Sequence, residues 1–456
     1  MKIALIATYE MGRQPFGLAS PAAWLRARGH AVACLDVSRQ AFDEEMVRGA
    51  GLVALHVPMH TATRLAIPLI EVVRGINPEA HLCFYGLYAP MNENYLRGLG
   101  VRTILGGEFE DGLVRLAERI ARGGGRAQEE AVISLGRQEF VVPDRSGLPE
   151  LKGYAHLVEA PGKHRVTGYT EASRGCKHLC RHCPIVPVYN GAFRVVGREV
   201  VLADIRQQVA AGARHITFGD PDFFNGPGHA RALVEALHRE FPEITYDVTI
   251  KVEHLLKHEA YLAALRETGC AFVVSAVESL DDVVLGKLEK GHTRGDFLRV
   301  VKNFRRLGMP LQPTFLPFTP WTTLDGYLDM LRVLREQELM ENVAPIQLAI
   351  RLLIPAGSRL LELPEMHGVG GSFDAQALVH PWKHADARVD ALCAAVQRIV
   401  AAGEERKRTR REIFQEIERE AEAAAGVTRA ARVGEEAQPV LAARAVVPYL
   451  NEPWYC

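Results

Sequence analysis

No stretch of the 456 residues approaches the ~18 apolar positions that a membrane-crossing helix requires. The longest candidate, residues 345–355, is interrupted by Arg351. The first twelve residues, MKIALIATYEMG, have neither the ~7–15-residue apolar segment nor the small-residue cleavage site of an export signal. They read as a first β-strand, and the chain reads as cytoplasmic, with no membrane partner. Surplus charge is also missing: Lys plus Arg number 54 and Asp plus Glu 55, for a net charge of −1. That balance argues against binding nucleic acid through bulk positive charge. Eight cysteines in this length exclude a disulfide scaffold. There is no repeat of solenoid period. What is present is ordinary globular composition, 48% apolar, enough to exclude disorder over most of a chain of about three domains' length.

The pattern predicts an α/β protein. Residues 1–125 alternate short apolar runs (KIALIA, AVACLD, LVALHV, HLCFYG, VRTILGG) with helical stretches. Near-continuous apolar strands between helices mean a parallel sheet covered on both faces, a doubly wound, Rossmann-like domain. Residues 126–165 are punctuated by Pro and Gly and read as a linker with one or two short strands. Residues 166–360 resume the alternation through six strand-like runs, the last being PIQLAIRLLI, and predict a partial (β/α)6 barrel. Functional residues of such barrels lie at the carboxyl ends of the strands. Residues 361–456 form a C-terminal region. It is helical over 385–425, with an apolar stripe of Ile413, Phe414 and Ile417, and it ends in an aromatic tail.

Five cysteines are scattered, but Cys176, Cys180 and Cys183 are not. They stand in Ser173-Arg-Gly-Cys176-Lys-His-Leu-Cys180-Arg-His-Cys183-Pro184, just past the first barrel strand. Three thiolates at this spacing converge from one loop. An iron–sulfur cluster normally takes four, so three leave one iron open to an exogenous ligand. Zinc is the competing metal. No second Cys-x2-Cys follows, so His178 or His182 would have to complete a zinc site.

The Ser-Arg-Gly-Cys-x3-Cys-x2-Cys segment at the head of a βα barrel resembles the radical S-adenosylmethionine (SAM) superfamily. The resemblance implies a [4Fe–4S] cluster on the three cysteines. It also implies SAM bound by its amino and carboxylate groups to the open iron, an external electron donor of flavodoxin or ferredoxin type, and reductive cleavage of a carbon–sulfur bond. His182 departs from the family, which usually carries an aromatic residue before the third cysteine. By the same resemblance, Gly219 and Asp220 after the second strand, and Ser275 and Glu278 after the fourth, are candidate SAM contacts. Lys251 and Glu253 end the third strand and are further cofactor-binding candidates. Simpler roles stay open for each: a helix-capping turn at 219–222, a Lys251–Glu253 ion pair, a cap from Ser279. The KGHT run at 290–293 follows as in many relatives, and Pro355-Ala-Gly-Ser358 would line the adenine side.

A doubly wound domain ahead of such a barrel resembles the cobalamin-binding branch. Pro15-Phe16-Gly17-Leu18-Ala19 and Gly106-Gly107-Glu108-Phe109-Glu110 are local matches, with glycines that would give room to a corrin. No Asp-x-His-x-x-Gly motif is present, so a cobalt-ligating His from the first loop is not supported. His56 and His60 near a strand end read as packing residues. The tail Glu452-Pro-Trp-Tyr-Cys456 is similar to a subgroup ending in Cys-Cys-Ala-Glu-Pro or its selenocysteine form, which makes Cys456 a candidate reactive thiol. The expected activity is a transferase acting on a small molecule, moving a methyl group to an unactivated centre. The rivals are carbon–heteroatom bond formation (aminocarboxypropyl transfer, or metalloid and selenium chemistry) and a non-catalytic, zinc-stabilised scaffold.

Overall fold

The computed structural model describes residues 1–125, 127–427 and 447–451. Six parallel strands open the chain: β1 (Lys2–Ala7), β2 (Ala31–Asp36), β3 (Leu52–His56), β4 (His81–Tyr85), β5 (Thr103–Gly107) and β6 (Ile133–Ser134). Their order is 2-1-3-4-5-6, so the winding changes direction between β1 and β3, where doubly wound domains bind ligands. The apolar runs are continuous because alternate residues feed two cores. Ala4 and Ile6 face the helices Glu44–Arg48 and Leu69–Ile76, through Val47, Ile70 and Val73. Ile3, Leu5 and Ala7 face Leu18, Ala22 and Leu25 of the helix Phe16–Ala27 and Leu113 and Leu116 of the helix Glu110–Ala121. The short strand β6 extends this sheet past residue 125, into the segment read as linker.

The second sheet contains β7 (His156–Ala160) and β8 (Lys163–Thr170). A small hairpin, β9 (Ser173–Gly175) with β10 (Phe193–Val195), branches off at the end of β8. The sheet continues with β11 (His215–Phe218), β12 (Thr245–Thr249), β13 (Cys270–Glu278) and β14 (Leu311–Phe315), and takes β15 (Tyr449–Leu450) at its edge. The order is 14-13-12-11-8-7-15. Strands β8 and β11 to β14 run parallel, and β7 and β15 add antiparallel pairings.

The stretch expected as a sixth barrel strand does not form one. Pro345–Leu348 is a single helical turn, and one parallel bridge, Phe318 to Arg351, stands where a ladder was expected. The edge of β14 is occupied by side chains instead. Gln347 Oε1 accepts from Phe315 N at 3.1 Å, and Asn342 Nδ2 donates to Leu311 O at 2.8 Å. Pro313 inside β14 has no N–H to offer a neighbour, as suits an edge strand.

The linker is fastened. Arg145 grips Asp204 of the helix Arg198–Ala210 with two bonds of 2.8 and 2.9 Å. It also donates to Gln14 Oε1 at 2.8 Å and to Tyr169 O at 2.6 Å. One guanidinium therefore joins both sheets. At the C-terminal side, the helices Ala387–Glu405 and Arg410–Ala424 pack on each other and bury Ile413, Phe414 and Ile417 in the main core. Leu450 rests against Leu157, Phe272 and Val274. Cys456 lies outside the described residues. No described helix is long and apolar enough to cross a membrane.

Candidate functional site

The chain leaves β8 at Thr170 and enters the cysteine loop through β9. Gly175 sits at φ +72°, and a Cβ there would lie 2.4 Å from the Tyr189 ring and 2.5 Å from Ala192 O, so only glycine fits. Strand β10 returns beside β9 and closes the loop's base. The ends of neighbouring strands hold the entry. Asp220 accepts from Ala172 N at 2.9 Å and Ser173 Oγ at 2.5 Å. Its burial pushes the carboxyl up to about 7, against the pull of those hydrogen bonds. Asn225 accepts from Lys177 N at 3.1 Å and donates to Gly175 O at 3.3 Å.

Cys176 and Cys180 are buried. Burial pushes the Cys176 thiol up, and that of Cys183 up to about 12. Buried thiols of that kind are inert unless something stabilises the thiolate. Lys290, itself buried, is the cation at hand: the carboxylate of Glu278 and the sulfurs of Cys180 and Cys183 hold its pKa up against its own desolvation. Among the described residues, the three cysteine sulfurs are not a set of donors lying within 4.8 Å of one another. A single ion needs such a set, whereas a cluster of several irons takes its thiolates at separate corners.

Glu278 ends β13 with φ +67°, a left-handed conformation uncommon for a non-glycine residue. Its carboxylate lies 3.3 Å from Lys290 Nζ and 3.3 Å from His182 Nε2. Burial would raise its pKa, but Lys290 first and then His182 overcome this and hold it at about 2. Lys251 Nζ is 3.5 Å from Glu253 Oε2, and a Cβ on Gly291 of the KGHT run would lie 2.7 Å from the same oxygen. The third and fourth strand ends and the KGHT run therefore converge on the cysteine loop.

Three expected contacts are placed otherwise. Ser275 lies within β13 rather than at its end, and its Oγ donates to Ile250 O at 2.7 Å. Both oxygens of Asp220 are engaged on the loop entry. Gly219 leaves space for this chain's own Tyr169: a Cβ would lie 1.8 Å from the Tyr169 hydroxyl. Ser358 reaches Arg181 O in the cysteine loop, at 3.4 Å.

In the N-terminal domain, both carboxylates of the Gly-Glu-x-Glu turn face the second sheet. Arg174, between the serine and the glycine that precede Cys176, lies 2.7 Å from Glu110 Oε1, 3.4 Å from Glu108 Oε2 and 2.7 Å from Glu171 Oε2. Tyr189 of the cysteine loop donates to Glu108 at 3.1 Å. Burial pushes Glu108 up to about 7, with Arg174 opposing. Arg174 and Asn225 were not legible as site residues, because the partners that place them, Glu108 for Arg174 and Lys177 for Asn225, lie 66 and 48 positions away along the chain.

The glycines expected to admit a corrin are filled by the protein. A Cβ on Gly17 would lie 1.9 Å from the His56 ring, on Gly106 2.1 Å from Pro90, and on Gly107 2.2 Å from Ser134 O. His56 Nδ1 faces Glu10 Oε2 at 3.3 Å, and His60 Nε2 lies 2.7 Å from Ala377 O.

A family model of the radical SAM superfamily matches residues 170–331, the span of the cysteine loop and the parallel strands around it. Among curated relatives, the hopanoid C-3 methylase of Methylococcus capsulatus is 23% identical over 321 residues, 68% of this chain and 62% of its own length. The chain thus spans about three-fifths of that relative. Among solved structures, the methyltransferase TsrM of Kitasatospora setae, with tryptophan and a SAM analogue bound, superposes with a TM-score of 0.63 at 16% identity. That match covers 84% of this chain and 80% of TsrM. The cobalamin-dependent SAM radical enzyme OxsB, with aqua-cobalamin bound, superposes with a TM-score of 0.71 at 14% identity, over 92% of this chain and 71% of OxsB. Residues 170–331 are thus similar to the radical SAM superfamily, and the chain shares the fold of TsrM and OxsB, a doubly wound domain followed by the second sheet.

Proposed function

We propose that the chain is a radical SAM transferase that moves a methyl group to a small molecule. The observation that carries this reading is the cysteine loop: two buried thiols and a half-buried one beside a buried lysine, clamped between the ends of the strands. Cys176, Cys180 and Cys183 would hold a [4Fe–4S] cluster, which supplies the electron for carbon–sulfur cleavage of SAM once an external ferredoxin- or flavodoxin-type donor has reduced it. Lys290 offsets the charge of the thiolates. Glu278, kept ionised by Lys290 and His182, is the acceptor for a hydroxyl or ammonium of SAM. Lys251 and Glu253 flank the same side. Gly219, Asp220 and Ser275 act one step back: they set the loop and strands on which the contacts stand.

Methyl transfer is favoured by the likeness to the methyltransferase TsrM and by the hopanoid methylase relative. His60 Nε2 is engaged by Ala377 O at 2.7 Å, whereas His56 Nδ1 lies 3.3 Å from Glu10 Oε2 without a hydrogen bond. The rival, aminocarboxypropyl transfer or other carbon–heteroatom chemistry with Cys456 as a tail thiol, predicts a different cleavage product.

The test is anaerobic incubation of reconstituted protein with corrinoid, SAM and a strong reductant, followed by mass identification of the nucleosides. 5′-Deoxyadenosine together with S-adenosylhomocysteine is the expected result. Methylthioadenosine would replace methyl transfer by the rival. Colourless protein with zinc and no iron would reject the enzyme reading altogether.

A further inference from the structure

Beside the cysteine loop lies a group of donors that ligation by the three cysteines does not use. His178 comes from the loop itself, Asp222 from the turn after β11, and His254 from the helix Val252–Lys257. His178 Nε2, Asp222 Oδ2 and His254 Nδ1 can serve as ligand atoms, and the three side chains bring such atoms within 4.8 Å of one another. Their side-chain exposures are 14%, 0% and 7%. All three atoms are buried and have no hydrogen-bond partner. Asp222 Oδ2 lies 2.7 Å from His254 Nδ1 and 3.5 Å from His178 Nε2, yet neither contact is aligned as a hydrogen bond. The other carboxylate oxygen is occupied, accepting from Phe224 N at 3.0 Å.

A buried polar atom left unpaired costs about 1–3 kcal/mol. Here both imidazoles reach one carboxylate oxygen in contacts that are not aligned as hydrogen bonds, so the three satisfy one another only in part. The surroundings name the class of ion that would complete them. Two imidazoles and one carboxylate on one side of an ion, with positions left open, are a donor set for first-row divalent metals. Behind His178, the second ring nitrogen faces Glu253 Oε2 at 3.6 Å. A carboxylate behind a ligating imidazole is the usual device for fixing its ring and its tautomer.

We propose that His178, Asp222 and His254 bind a divalent first-row ion of the zinc type, separate from the iron of the cysteine cluster. The ion would tie the cysteine loop to the segments following β11 and β12. The claim goes beyond the transferase reading and does not depend on it.

The test uses the full chain with its cluster assembled anaerobically. Zn2+ is added, the protein is desalted, and iron and zinc per chain are counted by mass spectrometry. One zinc per chain in addition to the cluster iron is expected. Asp222→Asn and His254→Gln should each lose that zinc while keeping the iron. Asp222→Asn keeps a carbonyl oxygen for Phe224 N, so the turn survives, and retained iron reports that the loop is intact. Co2+ serves as a second probe, because its absorption distinguishes imidazole and carboxylate ligands from thiolates. No stoichiometric zinc in the parent, full zinc in both variants, or thiolate charge transfer in the cobalt form would each overturn the proposal. Zinc on the histidines with no iron on the cysteines would instead sink the transferase reading and leave this site standing.

Discussion

The carboxyl ends of β3, β4 and β5 and those of β8, β12 and β13 carry the same kind of sequence signal, an apolar strand running into glycine or a polar turn. Glycines are filled at both, Gly219 by Tyr169 and Gly175 by Tyr189 in the second sheet, but the second also gathers charged side chains. At the N-terminal strand ends the protein fills its own turns: His56 over Gly17, Pro90 over Gly106, Ser134 over Gly107. At the second sheet the ends carry Lys251, Glu253 and Glu278, gathered with Lys290 beside buried thiols. A glycine at a strand end shows only that something comes close. Whether that is a ligand or a neighbouring side chain is decided by residues far away in the chain. Four experiments would break or sharpen this contrast.

The largest effect belongs to the cysteine loop. Cys176→Ala should abolish iron binding and SAM cleavage together while leaving the fold intact, as read by iron content and circular dichroism. Retained cleavage would remove the functional half of the contrast.

Next comes the joint between the two regions. Arg174→Met leaves the buried Glu108 and Glu110 and the half-buried Glu171 around an empty centre. Breaking a buried ion pair from one side costs about 3–5 kcal/mol, so denaturant unfolding should show a loss of that order. Neutralising Glu110 in the same background should recover part of it. A loss below about 1 kcal/mol, the worth of an exposed pair, would mean that the two domains are not held together through this arginine.

The third tests whether the N-terminal glycines are packing devices. Gly17→Ala forces a methyl group into the His56 ring and should cost about 1–3 kcal/mol by overpacking. In a His56→Ala background the penalty should largely vanish. A penalty that persists there, or one that appears only as weakened corrinoid binding, would return Gly17 to the role of a ligand-facing turn.

How much of this was legible beforehand follows the range of the interactions. The apolar runs gave the strands, because a parallel strand must feed two cores at once, as Ile3 to Ala7 do. The spacing of Cys176, Cys180 and Cys183 gave the loop, because one short segment carries all three donors. The sixth strand was misread because PIQLAIRLLI has a strand's composition, yet Gln347 satisfies β14 through its side chain. Ser275 was taken for a strand end because Glu278 closes β13 in a left-handed conformation that composition does not announce. Arg174, Asn225 and the His178–Asp222–His254 group depend on contacts between distant segments, and no local pattern records those.

The last effect concerns the acid shared by the two regions. Glu108 belongs to the N-terminal turn but pairs with Arg174 and Tyr189 of the second domain, and burial raises its pKa from 4.5 to about 7. The folded state therefore holds this proton more tightly than the unfolded chain does. Between pH 4.5 and about 7 the native state binds more protons, so stability must fall as pH rises. One proton's difference amounts to about 1.4 kcal/mol per pH unit at most. Glu108→Gln keeps an acceptor for the Tyr189 hydroxyl and removes the charge, so the variant should show a flatter stability profile across that window and meet the parent near its lower end. Asp220, raised to about 7 by its own burial, would contribute a decline of the same sign from the second sheet alone. An unchanged slope in Glu108→Gln would assign the effect to Asp220, and the pH response would then belong to the cysteine loop rather than to the joint between the domains.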